Sequence, residues 1–119
     1  MPQPYSDVEA LIAAHPMLRN TVVMCGKGWF PIIARFAQAA AALPTKAPLR
    51  VDLIKSKYGE LSMFLAGDGD EATRQALDEL ERIAEEASAR TCEQCGSPGR
   101  QIEVKGWIHA ACEACQPTP

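Results

Sequence analysis

Four cysteines in two C-x2-C pairs constrain the C-terminal segment of this chain more than any other feature. The pairs are Cys92-Glu93-Gln94-Cys95 and Cys112-Glu113-Ala114-Cys115, separated by residues 96–111. A C-x2-C pair lets two thiolates chelate one ion from a tight turn. Two pairs set about 15–20 residues apart supply the four soft ligands of a closed tetrahedral zinc site. Four thiolates leave no open position for water, so an ion held this way stabilises structure and does no chemistry. Cys92, Cys95, Cys112 and Cys115 are therefore candidate ligands of a structural Zn2+. Redox switching through zinc release is a second reading, since thiolate ligands remain oxidisable.

The rest of the chain has ordinary globular composition. Of 119 residues, 47% are hydrophobic and 23% charged, which suits one small domain plus a metal-held module. The expected division is an α+β domain over 1–90 and a zinc-ribbon module over 91–119. A net charge of -3 argues against a strongly basic nucleic-acid binder. Met1 to Asp7 has neither a basic flank nor an apolar core, so no signal peptide is expected. The apolar stretch from Phe30 to Leu43 is interrupted by Pro31, Arg35 and Gln38 and is too short to span a bilayer. These features point to a cytoplasmic protein with no membrane contact, where paired cysteines are metal ligands more often than disulfides.

Local patterns predict the elements. Ser6-Asp7-Val8-Glu9 reads as a capping box, followed by Val8, Leu11 and Ile12 at helical spacing and a stop at His15-Pro16. Thr21 to Met24 is a short extended run. Gly26-Lys27-Gly28 breaks the chain before a helix from Trp29 to about Leu43, with Pro31 tolerated in its first turn. On that helix Phe30, Ile33, Ala34, Ala37 and Ala41 share one face, widened by Ile32, Phe36 and Leu43. Its alanine-rich side could serve a homodimer as easily as a core. Leu49–Lys57 and Glu60–Ala66 alternate as two strands around a Tyr58-Gly59 turn, with Val51 and Leu53 on one face. Glu71 to about Arg90 is a long amphipathic helix with an apolar stripe of Ala76, Leu77, Leu80, Ile83, Ala84 and Ala87. Within the cysteine segment, Gln101–Val104 and Trp107–Ala110 form a hairpin around Lys105-Gly106. The fold class is α+β, with a C-terminal four-cysteine zinc ribbon packed on the long helix.

Several of these pieces occur together in a known set. Gly28-Trp29, Ile54-Lys55-x-Lys57-Tyr58-Gly59-x-Leu61-x-x-Phe64, Cys92-x-x-Cys95-Gly96-Ser97-Pro98-Gly99, Gly106-Trp107-Ile108 and Cys112-x-x-Cys115 resemble small, mostly uncharacterised bacterial and phage zinc-ribbon proteins. The likeness spans roughly residues 15 to 115. It implies a zinc-ribbon protein carried on mobile elements and brings no enzymatic activity. Ser62-Met63 stand where members of that set often carry Arg-Phe, so any contact made by that arginine is missing here.

Other residues weigh less. Cys25 is conceivable as a nucleophile, but neither His15 nor His109 is tied to it as a base, and a buried small hydrophobe is the better reading. His109, three residues before Cys112, could compete as a ligand, although four cysteines already close the site. Trp29 and Trp107 invite base stacking. The preferred reading places Trp29 in the core and has Trp107 cover the zinc module and dock it on the helix over 71–90. Lys46, Arg50, Lys55 and Lys57 form a basic cluster around Asp52. Asp68, Asp70, Glu71, Asp78, Glu79, Glu81, Glu85 and Glu86 make an acidic face, offset by Arg74 and Arg82.

No catalytic constellation stands out, so the expectation is a non-enzymatic protein that binds another protein. Asp78, Glu81 and Glu85 on the acidic face, or Arg100 and Lys105 on the ribbon, are the candidate partner-binding residues. The resemblance adds the expectation of a regulator or inhibitor of a host system, of anti-CRISPR or anti-restriction type. A nucleic-acid-binding zinc-ribbon module is the alternative.

Overall fold

A computed structural model describes residues 7–45 and 47–116. Helix α1 (Val8–Ala14) is capped by Asp7, whose carboxylate accepts from the Ala10 N–H at 2.8 Å. The expected cap at Ser6 lies outside the described residues. A 3-10 turn at Pro16–Leu18 leads to strand β1 (Val22–Met24), and a second at Lys27–Trp29 leads to helix α2 (Phe30–Ala41). Strands β2 (Ala47–Lys57) and β3 (Glu60–Asp68) follow, then helix α3 (Glu71–Ala89). Strands β4 (Arg100–Val104) and β5 (Trp107–Ala111) complete the chain before a 3-10 turn at Glu113–Cys115. The α+β expectation holds. Among the described residues no helix is long and apolar enough to cross a membrane.

The larger sheet has the order β1-β2-β3, with β1 parallel to β2 and β2 antiparallel to β3. A parallel neighbour needs a crossover, and α2 supplies it between β1 and β2. Val51, Ile54 and Leu61 of the sheet pack with Leu11, Leu18, Trp29, Ile33, Phe36 and Ala84 of the helical side. One face of the sheet is thereby covered. On the opposite face, among the described residues, Val22, Met24 and Phe64 remain at least half-exposed.

Which residues face the core corrects two details of the sequence pattern. Strict alternation places Val51 and Leu53 together, yet Val51 and Ile54 are the buried pair and Leu53 is half-buried. The register shifts between Val51 and Leu53, so a bulge at Asp52 moves Leu53 to the open side. On α2, Ala40 is buried where Ala41 was expected.

Helix α3 departs from its predicted stripe as well. Ile83 is half-exposed, while Thr73 and Ser88 are buried. Asp70 caps the helix by accepting from Thr73 N–H at 2.8 Å, which holds its carboxyl below the usual range. Thr73 donates to the Pro44 carbonyl at 2.8 Å. Ser88 accepts from Leu61 N–H at 2.8 Å and donates to the Glu85 carbonyl at 2.7 Å, tying α3 to β3.

Candidate metal centre and adjoining surface

The ribbon builds its first knuckle from backbone hydrogen bonds. Gly96 N–H donates to the Cys92 carbonyl at 2.9 Å, and Cys92 N–H donates to the Ser97 carbonyl at 2.8 Å. The second knuckle is the 3-10 turn after β5, closed by Cys115 N–H on the Cys112 carbonyl at 3.2 Å. The β4–β5 hairpin brings the two together, and Glu93 N–H donates to the Ala110 carbonyl at 3.0 Å.

This places the Sγ atoms of Cys92, Cys95, Cys112 and Cys115 within 4.8 Å of one another, with Cys95 and Cys112 at 3.6 Å. Thiolates at ~2.3 Å from a tetrahedral zinc stand ~3.8 Å apart, whereas a disulfide needs ~2.05 Å. None of the four cysteines is in a disulfide. The set therefore fits one metal ion and no disulfide. His109 is not part of it.

The local electrostatics fit a cation too. Burial pushes the Cys92 thiol up, but the backbone N–H groups of Cys112, Cys95 and Gln94 outweigh it and leave a net lowering. Hydrogen bonds from the Ser97 hydroxyl and N–H, then from the other sulfurs, bring Cys95 down to about 6. The neighbouring sulfurs of Cys112, Cys95 and Cys92 push Cys115 up to about 12. Four sulfurs cannot all ionise at this separation unless a cation sits among them.

The first knuckle is seated on the segment joining β1 to α2. Gly28 N–H donates to the Glu93 carbonyl at 2.8 Å, and Gly26 N–H to the Glu93 carboxylate at 2.9 Å. The indole N–H of Trp29 donates to the Thr91 carbonyl at 2.9 Å, and the ring is fully buried. A second seat lies at the β2–β3 turn. Gln101 donates through Nε2 to the Tyr58 carbonyl at 2.9 Å, and Ile108 packs against Gly59.

Trp29 thus occupies the core as expected. Trp107 does not dock the ribbon on α3: it is 74% exposed. It sits on β5, where outward residues face solvent. With Tyr58, Lys55, Lys57, Gln94 and His109 it lines a cleft of about 540 Å3 between the β2–β3 turn and the ribbon.

Beside this cleft lies the uncovered face of the sheet. Val22, Leu53 and Phe64 form one row across the three strands, and Met24, Lys55 and Ser62 form the next. Val22, Met24, Phe64 and Tyr58 are at least half-exposed. Sequence reading missed this surface. Its signal was present in the outward phase of Phe64 and the parity of Val22 and Met24, but the parallel pairing of β1 was not legible locally.

The remaining candidates are spread out. Asp78 and Glu81 line a groove between β3 and α3. Burial, then the charges of Asp78 and Glu85, raise the Glu81 carboxyl. Burial and Glu60 do the same to Glu85. Arg82 pairs with Glu79 and with Glu86, so part of the acidic face is neutralised within α3. Arg100 and Lys105 lie exposed on the β4–β5 hairpin. Arg50 pairs with Asp52 at 3.1 Å, while Lys46 lies outside the described residues. Cys25 is half-buried against the core, and burial with the nearby Glu93 pushes its thiol up to about 12.

No protein-family model, curated protein or solved structure matches this chain.

Proposed function

We propose that this chain is a non-enzymatic zinc-ribbon protein that binds another protein. The observation that carries this reading is the distribution of large exposed apolar side chains. Trp107, Tyr58, Phe64, Met24 and Val22 lie on the open sheet face and the cleft that continues it. Exposed apolar patches of this kind mark interaction surfaces, and aromatic residues and Met are enriched where proteins meet. Zinc is the ion assigned to the four thiolates, in a structural role. The thiol of Cys25, held protonated at neutral pH, does not favour a nucleophile. On this reading the chain acts as a regulator or inhibitor of a host system, the role implied by its resemblance to small bacterial and phage zinc-ribbon proteins.

The test is capture from a bacterial lysate with the zinc-loaded protein, with and without nuclease. Wild type is compared with Trp107→Ala, Phe64→Ser and an α3 surface variant, Glu86→Gln. A nuclease-resistant partner retained by wild type and Glu86→Gln, and lost by the first two, is the expected result. Capture that vanishes with nuclease would transfer the reading to nucleic acid.

A further inference from the structure

We infer that the open sheet face and the hairpin–ribbon cleft form one docking surface for an acidic partner segment with apolar anchors. The inference rests on the protein-binding reading and adds the chemistry of the partner.

The apolar half of the argument comes from the two rows across the sheet. Val22, Leu53 and Phe64 adjoin Met24 and Lys55, and three of these five side chains, those of Val22, Leu53 and Met24, are apolar without being aromatic. Aliphatic groups offer a nucleobase neither a stacking plane nor a hydrogen bond. They gain by being covered with other apolar side chains, at roughly 25 cal/mol per Å2 removed from water. An extended polypeptide with alternate apolar residues suits such a pleated face.

The charge half comes from the lysines. Lys55 Nζ lies 5.4 Å from the centre of the Phe64 ring, and Lys57 Nζ lies 5.7 Å from that of Tyr58. Their ammonium groups therefore stand over the apolar patch, where the carboxylates of a docked segment would lie. Among the described residues neither lysine is in an ion pair. Of the nearby acids, Asp52 is engaged by Arg50 and one Glu93 oxygen by the Gly26 N–H, while Glu60 stands opposite Lys57 on β3 and leaves Lys55 and Lys105 unopposed. To the half-buried Lys55 and exposed Lys57, Lys105 adds a third cation, exposed on the turn before Trp107. The surface thus offers positive charge although the chain is net negative. Of the α3 acids, Glu85 reaches the groove beside Lys57 and Glu60; the others belong to the helical layer on the other face of the sheet, and exposed charges farther apart than ~8 Å are largely screened at physiological salt.

The probes are four labelled ligands. One is a twelve-residue peptide alternating Glu with Leu or Phe. The second has Lys for Glu, and the third has Ser for Leu and Phe. The fourth is a twelve-nucleotide oligothymidine. Binding to the zinc-loaded protein is read by anisotropy and by the emission of Trp107, in a Trp29→Phe background if that variant folds and otherwise in wild type. The acidic apolar peptide is expected to bind best and to shift Trp107 emission. Lys55→Glu with Lys57→Glu is expected to weaken it by at least about tenfold, and Phe64→Ser comparably, with circular dichroism and zinc content unchanged.

Equal binding of the Lys peptide, or tighter binding of oligothymidine with a steep salt dependence, overturns the inference. So does failure of the acidic peptide. If that peptide fails while lysate capture still depends on Trp107 and Phe64, only the partner chemistry falls. If both fail, the protein-binding reading falls with it.

Discussion

Replacing Gly28 by alanine tests how firmly the metal knuckle is joined to the core. A Cβ at this position would lie 2.2 Å from the Cys92 carbonyl oxygen, 2.6 Å from that of Glu93 and 2.6 Å from the Gly96 nitrogen. All three are backbone atoms, so no rotamer change relieves the clash. The knuckle and the segment before α2 must separate by about 1 Å to reach ordinary contact, at an overpacking cost of about 1–3 kcal/mol. That separation breaks the Gly28–Glu93 hydrogen bond and pulls on the one from the Trp29 indole to Thr91. Each is worth about 0.5–1.5 kcal/mol net. Alanine also restricts the unfolded chain, which returns about 0.4–1 kcal/mol. The expected net loss is about 2–4 kcal/mol, a large share of the ~5–15 kcal/mol that holds a domain.

Urea unfolding of the zinc-loaded protein, followed by tryptophan emission, measures this as a lower midpoint at unchanged slope. Gly106→Ala is the control. Nothing lies within 4 Å of a Cβ there, but φ is +82°. It should cost only about 1 kcal/mol, from the left-handed backbone, and leave Trp29 undisturbed. A Gly28→Ala protein within about 0.5 kcal/mol of wild type would refute the reasoning, because the close approach would then be dispensable.

Two further outcomes follow from the same geometry. Removing the metal with excess chelator from a Trp107→Phe variant should shift Trp29 emission to the red and expose it to quencher, reversibly on adding zinc, because the knuckle supplies the hydrogen-bond partner of the indole; an unchanged emission would mean that the core is indifferent to the ribbon. Cys25 in the zinc-loaded protein should react with iodoacetamide about a thousandfold more slowly at neutral pH than an ordinary exposed thiol, since burial raises it to about 12. Its rate should climb about tenfold per pH unit toward that value. A rate at neutral pH equal to that of a free thiol would revive Cys25 as a nucleophile.

The cysteine site was legible in the sequence because spacing alone dictates it: two C-x2-C turns and a hairpin of fitting length leave little freedom. The β2–β3 and β4–β5 hairpins were legible for a similar reason. Tyr58-Gly59 and Lys105-Gly106 are turns in which both residues take positive φ. What escaped was decided by contacts distant in sequence. Ser88 is buried because Leu61 N–H, 27 residues away, needs an acceptor, and no helical period announces that. The bulge that exchanges Leu53 for Ile54 is set by pairing on both sides of β2. Trp107 was misplaced because a tryptophan's size argues for burial, while the seat of the ribbon is made instead by Gly26, Gly28 and Gly59, residues whose lack of a side chain admits the close approach.

That seat ties the metal to the surface beyond it. The segment that receives the first knuckle begins directly after β1, whose Val22 and Met24 belong to the open sheet face. The second seat fixes Tyr58 beside the hairpin that carries Trp107. Neither the sheet nor the ribbon alone contains the cleft: Lys55, Lys57 and Tyr58 come from one, Trp107 and His109 from the other. A ribbon this short cannot bury a core sufficient to hold itself, so an ion held by the four thiolates would supply what packing does not. Loss of the ion would then separate the two walls of the cleft while leaving the rows on the larger sheet in place. Zinc removal should therefore abolish contributions that depend on Trp107 sooner than those that depend on Phe64, which a double-mutant comparison with and without metal would read directly.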